Sequence, residues 1–567
     1  MRSAHSVVSA LTSVGIVANG RAQSQTKAEF ETRILRILRN PQLLHGLVLL
    51  GIGLRFWEYL FNRSLYLDEI LLTRSIVGMP LWALLTKPLL MDQVAPRGFL
   101  LVERLAVMTF GPSELGLRLF PFLCGVVSVI LFRRLAERML TGAGPALALF
   151  LFAIGVPLIR YGGDVKQYAV DIVAAIGLLL LALDLREKEA TTNRLLLTGA
   201  LGLVIVWFSQ TAVLVMAGIG LGLAVDWLIS RDQRAGRELL VMIPLWGVAS
   251  IAAVIAGTRS MTPSTREFMD DFWAGGFFPR TLRVTKAPGW FWERLSSIFS
   301  DPSLLRYRWP AVFLFVALVG VIALWQRSRA AALLLVGPFV VAIAAAVAHQ
   351  YPFRGRLIVW LVPSALIAAA AGAEWIRGQA SVLHSAVGAA LGAVLMLAFL
   401  ASPAMAMWEM PPPYDIEHWR ALLSYLQSHR QTGDEVYALP IQRIGMNFYG
   451  PSYGLQPQDW STGVCEQNDT RAYIQDVDRY RGVRRLWVVS GSTRPFRVAR
   501  ASVLKYLNTI GVKKDSLELP SLTMTSVSVE LYDLSDPARL QAATAESFPV
   551  PPMPNDPRPG CRDWLKP

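Results

Sequence analysis

Apolar runs of about 20 residues recur along the first 400 positions of the chain, and each is long enough to cross a hydrocarbon core roughly 30 Å thick. Inside such a core every backbone N–H and C=O must be satisfied within its own segment, so runs of this length are helices. With 53% hydrophobic and 17% charged residues over 567 positions, a soluble globular fold is excluded. The expected fold class is a polytopic α-helical membrane protein.

Charge sets the topology. Arg33, Arg36 and Arg39 precede the first run and place the N-terminus on the cytoplasmic side. Residues 1–42 are expected to be a cytoplasmic tail with a basic helix: stretch 7–17 is too weakly apolar for a signal peptide, and Ala18-Asn19-Gly20 is a poor cleavage exit. About eleven spans are expected, at 43–60, 115–131, 145–159, 168–183, 195–208, 212–229, 239–256, 311–325, 330–348, 357–372 and 381–400. Each connection assigned to the cytoplasm carries Arg or Lys, among them Arg133, Arg134, Arg186, Arg194, Arg234 and Arg329. Two long connections, 61–114 and 257–310, then lie outside. The first contains short interfacial helices broken by Pro80, Pro88 and Pro96, because Arg74, Glu103 and Arg104 recur at intervals that a span would not tolerate.

From 403 to 567 the apolar runs shorten to strand length. Strands are expected at 435–439 and 485–490, with helices at 419–427, 473–480 and 501–510: an extracytoplasmic α/β domain ending in an extended, Pro-rich tail from Phe548. Cys124 lies in an apolar run. If the last third is outside the cytoplasm, Cys465 and Cys561 either form a disulfide or stay as two thiols, and the sequence leaves both open. The net charge of +14 is accounted for by the positive-inside loops and anionic lipid, and no nucleic-acid motif accompanies it.

The carboxylate pair in Leu65-Tyr66-Leu67-Asp68-Glu69 stands just outside the first span. Asp164, Lys166, Arg354 and Arg356 also fall at outside ends of spans, at one depth. Charges there commonly face a cavity or one another. A carboxylate can take the proton of an acceptor hydroxyl, and Arg and Lys can hold a phosphate leaving group. Each residue also has a plainer role. Asp68 and Glu69 would be a solvated flank, Asp164 a helix cap, and Arg354 and Arg356 headgroup anchors. Tyr161, Tyr168 and Tyr351 stack on sugars or belong to the aromatic belt, and His349 is a hydrogen-bonded interface residue to which no metal is assigned.

Leu67-Asp68-Glu69 is followed by Gln93-Val94-Ala95-Pro96, Gly98-Phe99-Leu100, Phe110-Gly111-Pro112-Ser113-Glu114 and Leu117-Arg118-Leu119-Phe120-Pro121. With Asp164-Val165-Lys166-Gln167-Tyr168 and Tyr351-Pro352-Phe353-Arg354-Gly355-Arg356, this series resembles the bacterial family 39-type membrane glycosyltransferases. That group includes relatives of protein O-mannosyltransferases and of the aminoarabinose transferase of lipid A. The resemblance covers about 43–400. It implies a GT-C architecture, a polyprenyl-phosphate-sugar donor, inverting transfer to a lipid, glycan or protein acceptor, and residence in a bacterial inner membrane. Asp68 would be the base with Glu69 beside it, Asp164 the second acidic position, and Lys166, Tyr168, Arg354 and Arg356 donor contacts. Arg97, where related sequences often carry Pro or another small or apolar residue, either joins the donor pocket or sits at the interface. Some GT-C enzymes use a divalent cation, which remains an open cofactor.

Two other functions compete. A transporter or flippase of lipid-linked sugars would place charges deep in the spans and repeat itself in two halves. Here most charges gather at span ends, with Asp171 the main exception. A membrane scaffold whose C-terminal domain binds a partner would leave Asp68 dispensable.

Overall fold

The computed structural model describes residues 36, 38, 40–187, 191–231, 233–281, 284–301, 303–382, 386–466, 469–492, 496–519, 521, 526–551 and 561. The N-terminal tail with its basic helix, up to residue 35, and the Pro-rich stretch 552–560 lie outside the described residues.

The described residues of the eleven expected apolar segments are mainly helical, but the segments are not equal. Eight stretches are long and apolar enough to cross a membrane among the described residues: Pro41–Leu60, Glu114–Met139, Tyr168–Glu187, Ala212–Ser230, Gln233–Arg259, Pro310–Arg327, Arg329–Val347 and Gly355–Gln379. Gly144–Ala153 and Thr192–Phe208 are shorter. The former stops at Ile154 and Gly155 and resumes as Val156–Arg160, with Pro157 in the first turn of the new helix. Ala386–Glu409 occupies the eleventh segment. This is a multi-pass membrane architecture with eight full-length candidate spans among the described residues.

Small residues set the helix spacing. A Cβ on Gly218 would lie 2.3 Å from Pro338 N, and one on Gly320 would lie 1.8 Å from the Ala368 carbonyl oxygen. Helix Ala212–Ser230 therefore meets Arg329–Val347, and Pro310–Arg327 meets Val362–Val382, at backbone distance. At one end of the bundle Asp226, buried, accepts from Arg186 Nη2 and Arg329 Nε at 2.8 Å each, while Glu238 lies 3.5 Å from Arg186 Nη1 and from Arg234 Nε. These pairs tie four helices together at that end.

At the other end, connection 61–114 folds into helices Leu67–Gly78 and Leu81–Thr86, split at Pro80, and Arg97–Phe110, which starts immediately after Pro96. Connection 257–310 contributes Pro263–Phe272 and Ala287–Ser300. Its segment around Gly276 is pinned by Phe278 N–H donating to Ala346 O and Phe353 N–H donating to Gly276 O.

The C-terminal part is a five-stranded mixed sheet in the order β2-β1-β3-β5-β4, made of β1 Glu435–Ala438, β2 Ser461–Thr462, β3 Leu486–Gly491, β4 Val512–Glu518 and β5 Val527–Asp533. β1 runs parallel to β2 and β3, with Val436 opposite Trp487. β5 runs antiparallel to β3, with Val488 opposite Glu530. Helices Trp419–His429, Thr470–Asp478 and Arg497–Ile510 accompany it. Cys465 and Cys561 are joined by a disulfide, and Cys124 is free and buried. Core residues of this part, among them Trp419, Ile444 and Tyr449, form one apolar cluster with Leu65, Ile70, Leu72 and Phe99 of the first connection. The sheet unit is packed against the loop that carries Asp68.

Candidate active site

Arg63 is the hub of the site. It leaves the first span three residues after Leu60 and its side chain is buried. Nε lies 3.2 Å from Glu58 Oε1, Nη1 2.7 Å from Glu69 Oε2, and Nη2 pairs with Asp164 Oδ1. Arg118 supplies a second guanidinium, with Nε 3.1 Å and Nη2 2.8 Å from the two oxygens of Glu69. The backbone N–H groups of Val165 and Tyr66 also donate to Glu69, at 2.9 and 3.2 Å. Tyr66 Oη donates to Asp164 Oδ2 at 3.1 Å, and Arg160 Nε stands 4.0 Å away. Three carboxylates thus meet three guanidiniums, and burial is tolerable because charges are paired and the carboxylate oxygens of Glu58, Glu69 and Asp164 are hydrogen-bonded. Arg118 and Arg63 hold the Glu69 carboxyl well below its ordinary range in spite of burial.

Asp68 adjoins Glu69 in sequence but not in environment, since successive residues on helix Leu67–Gly78 do not share a face. Its carboxylate is 28% exposed, against 0% for Glu69 and Asp164 and 1% for Glu58. Arg356 Nη2 lies 2.6 Å from Asp68 Oδ2. The Arg356 guanidinium also sits 5.8 Å from the Tyr168 ring centroid and 5.6 Å from that of Trp273, within cation–π range of both. Lys166, buried, donates from Nζ to Gln93 Oε1 at 2.8 Å. Burial opposes ionisation of Asp68, but Arg356, Lys166 and Arg160 outweigh it and hold the carboxyl below its usual value. Burial pushes the Lys166 ammonium down to about 8, against the pull of Asp68.

The six charged positions therefore separate into groups. Asp68, Lys166 and Arg356 converge on a partly open site, with Tyr168 forming an aromatic wall. Glu69 and Asp164 converge on Arg63 behind it. Asp164 and Lys166, two residues apart on an irregular turn, point to different groups, and the Asp164 oxygens are taken by Arg63 and Tyr66 rather than by a helix N-terminus. Arg354 is exposed and lies against Gly275, and Arg97 donates to Ala256 O at 3.1 Å. Among the described residues no hydrogen bond or ion pair joins either to Asp68. His349 hydrogen-bonds Phe278 O at 2.9 Å and stacks on Phe277. Asp171, the carboxylate inside a span, accepts from Ser209 Oγ at 2.6 Å.

Sequence reasoning gave no site role to Arg63, Arg118, Arg160 or Trp273, the last being read only as an interfacial aromatic. Arg118 carried a signal, because it is a charged residue within the apolar helix Glu114–Met139 and needs a partner there. It also did not find two contacts from the far end of the chain: Leu65 N–H donates to Tyr449 Oη at 2.7 Å, and Leu67 N–H to Glu417 Oε2 at 3.1 Å.

No family model and no curated protein matches the chain. Among solved structures, it is similar to the oligosaccharyltransferase AglB of Archaeoglobus fulgidus, in complex with an inhibitory peptide and a dolichol-phosphate, at 12% identity and TM-score 0.46, over 83% of this chain and 72% of that one. It is also similar to ArnT of Cupriavidus metallidurans, bound to undecaprenyl phosphate, at 14% identity and TM-score 0.43, over 86% of this chain and 98% of that one.

Proposed function

We propose that the chain is a GT-C-type membrane glycosyltransferase that moves a sugar from a polyprenyl-phosphate carrier to an acceptor hydroxyl on the extracytoplasmic face, with Asp68 as general base. The observation that carries this reading is the segregation of carboxylates. Glu58, Glu69 and Asp164 are sealed by guanidiniums, whereas Asp68 stays partly exposed beside two cations.

In the proposed reaction the phosphate of the donor takes Arg356 and Lys166. Drawing Arg356 onto the phosphate releases Asp68 from its ion pair and restores its basicity. Asp68 then accepts the proton of the acceptor hydroxyl as its oxygen bonds to the anomeric carbon, and the carbon–oxygen bond to phosphate breaks on the opposite face. The two cations hold the charge that develops on the departing phosphate. Attack from the face opposite the leaving group inverts the anomeric centre. The scheme uses no divalent cation: the oxygens of Glu58, Glu69 and Asp164 are taken by guanidinium, hydroxyl and backbone N–H donors, and Asp68 is paired with Arg356. Glu69 and Asp164 act as positioning residues rather than reacting groups, and the sealed face of the site keeps Arg63 fixed behind them.

The test is Asp68→Asn in proteoliposomes supplied with polyprenyl-phosphate sugars. Transfer should fall by about 10²-fold or more, with elution volume and thermal unfolding unchanged. Transfer at the wild-type rate would remove the base from the scheme. Sugar-lipid movement across the bilayer without transfer would favour the transporter.

A further inference from the structure

The contacts between the sheet unit and the first connection point to a role for the C-terminal part. An α-helix leaves its first N–H groups without intrahelical acceptors, and ordinarily the residue at its start caps them with its own side chain. At the start of helix Leu67–Gly78, which carries Asp68, Glu69 Oε2 accepts from Tyr66 N–H at 3.2 Å, but no local side chain serves Leu67. Its N–H donates to Glu417 Oε2, 350 positions away. Two residues earlier, Leu65 N–H donates to Tyr449 Oη, 384 positions away, and Ser64 Oγ accepts from Arg420 N–H at 3.2 Å.

These acceptors are themselves held. Glu417 Oε2 also accepts from Trp419 Nε1 at 2.9 Å, and Tyr449 Oη donates to Glu114 Oε1 at 3.1 Å. Tyr414 N–H reaches Glu58 Oε2 at 2.9 Å, which joins the same segment to the Arg63 cluster. Leu65 is fully buried, and Glu417 and Tyr449 are 4% and 5% exposed, so water does not readily replace a lost partner.

We infer that the C-terminal α/β unit is a positioning device for the proposed transfer: Glu417 and Tyr449 fix the backbone of residues 65–67 and so set Asp68 against Arg356 and Lys166. Neither residue touches the reacting atoms. Their effect is exerted through the start of one helix, and it rests on Asp68 being the base. Displacing a reacting group by about 1 Å is enough to cost on the order of 10²-fold in rate.

The experiment pairs Glu417→Ala and Tyr449→Phe with Glu417→Gln, whose amide oxygen still accepts both N–H groups. Two readouts are taken on the full chain in detergent: hydrogen exchange of segment 64–70 and steady-state transfer. Glu417→Ala and Tyr449→Phe should each speed exchange in 64–70 at least tenfold while 164–168 stays unchanged. They should lower kcat by about 10- to 100-fold and move the donor KM less than about threefold. Glu417→Gln should restore both readouts, an outcome that general destabilisation would not give. Unchanged exchange in 64–70, or unchanged kcat, in Tyr449→Phe and Glu417→Ala would overturn the inference. If Glu417→Ala does not fold, Tyr449→Phe, which removes a single hydroxyl, decides alone. If the wild type transfers no sugar, the glycosyltransferase reading fails, and the exchange of 64–70 still decides whether the far unit holds this segment.

Discussion

Lys166 shows what one buried cation does to a pH profile. Its ammonium is charged below about 8 and neutral above it, the lowering arising from burial and being only partly offset by Asp68. A phosphate contact made by Lys166 is therefore lost as the pH climbs through that value. For the proposed donor, kcat/KM should fall on the alkaline side with a midpoint near pH 8. Full deprotonation should cost about 10- to 100-fold, the range of a charge-assisted hydrogen bond. Lys166→Arg, which keeps its charge, should carry the limb to higher pH. A profile unchanged by this substitution would place Lys166 outside the donor site. At this scale Asp68, Lys166, Tyr168 and Arg356 were legible from residue type and membrane depth. Arg97 and Arg354 shared the chemistry, but backbone direction turns them to Ala256 and Gly275.

Among elements, the start of helix Leu67–Gly78 divides two adjacent carboxylates into an open one and a sealed one. Adjacency made them look equivalent. The 100° between successive side chains makes them different, and what each meets depends on Arg63, Arg118 and residues 163–165, which come from three separate segments. Partner identity is a property of the fold and could not be read along the chain. Glu69→Gln leaves Arg63 and Arg118 buried with too little negative charge, and it should destabilise the protein by about 3–5 kcal/mol. Thermal unfolding in detergent measures this. A variant as stable as wild type would show that the cluster tolerates excess positive charge. The short strands were also unequally legible. β3, Leu486–Gly491, is buried at every position, whereas β4, Val512–Glu518, is an edge strand with Lys513, Lys514 and Asp515, polar enough to pass for a loop. The short helices of connection 61–114 were visible because Pro80 and Pro96 mark their boundaries.

For the whole molecule, the joint between membrane part and sheet unit makes stability depend on pH. Burial, with Asp68 and Glu69 nearby, pushes Glu417 up to about 7 from an ordinary 4.5. Between those values the folded chain holds a proton that the unfolded chain has lost, so this group's contribution is complete below about 4.5 and fades as the pH rises through 7. Glu417→Gln, which cannot ionise, should gain on the wild type by up to about 3 kcal/mol across that interval, read as diverging unfolding midpoints. Parallel midpoints would mean that Glu417 is ionised in the folded state. The disulfide closes a loop of 96 residues in the same unit. Cys465→Ser should weaken that unit by about 2–5 kcal/mol, seen as earlier proteolysis of the C-terminal part. The order of helices was legible because hydropathy and charge are periodic and local. The docking of the sheet unit was not, since it rests on contacts between residues more than 300 positions apart.

The pairs that bind Asp226 and Glu238 to Arg186, Arg234 and Arg329 lie at the end of helix Tyr168–Glu187 remote from Tyr168, roughly 27 Å away along its axis. These pairs resist separation of the four helices at that end. In the proposed function, a long prenyl carrier would then enter sideways between the opposite ends of these helices, near Arg356, and leave by the same gap.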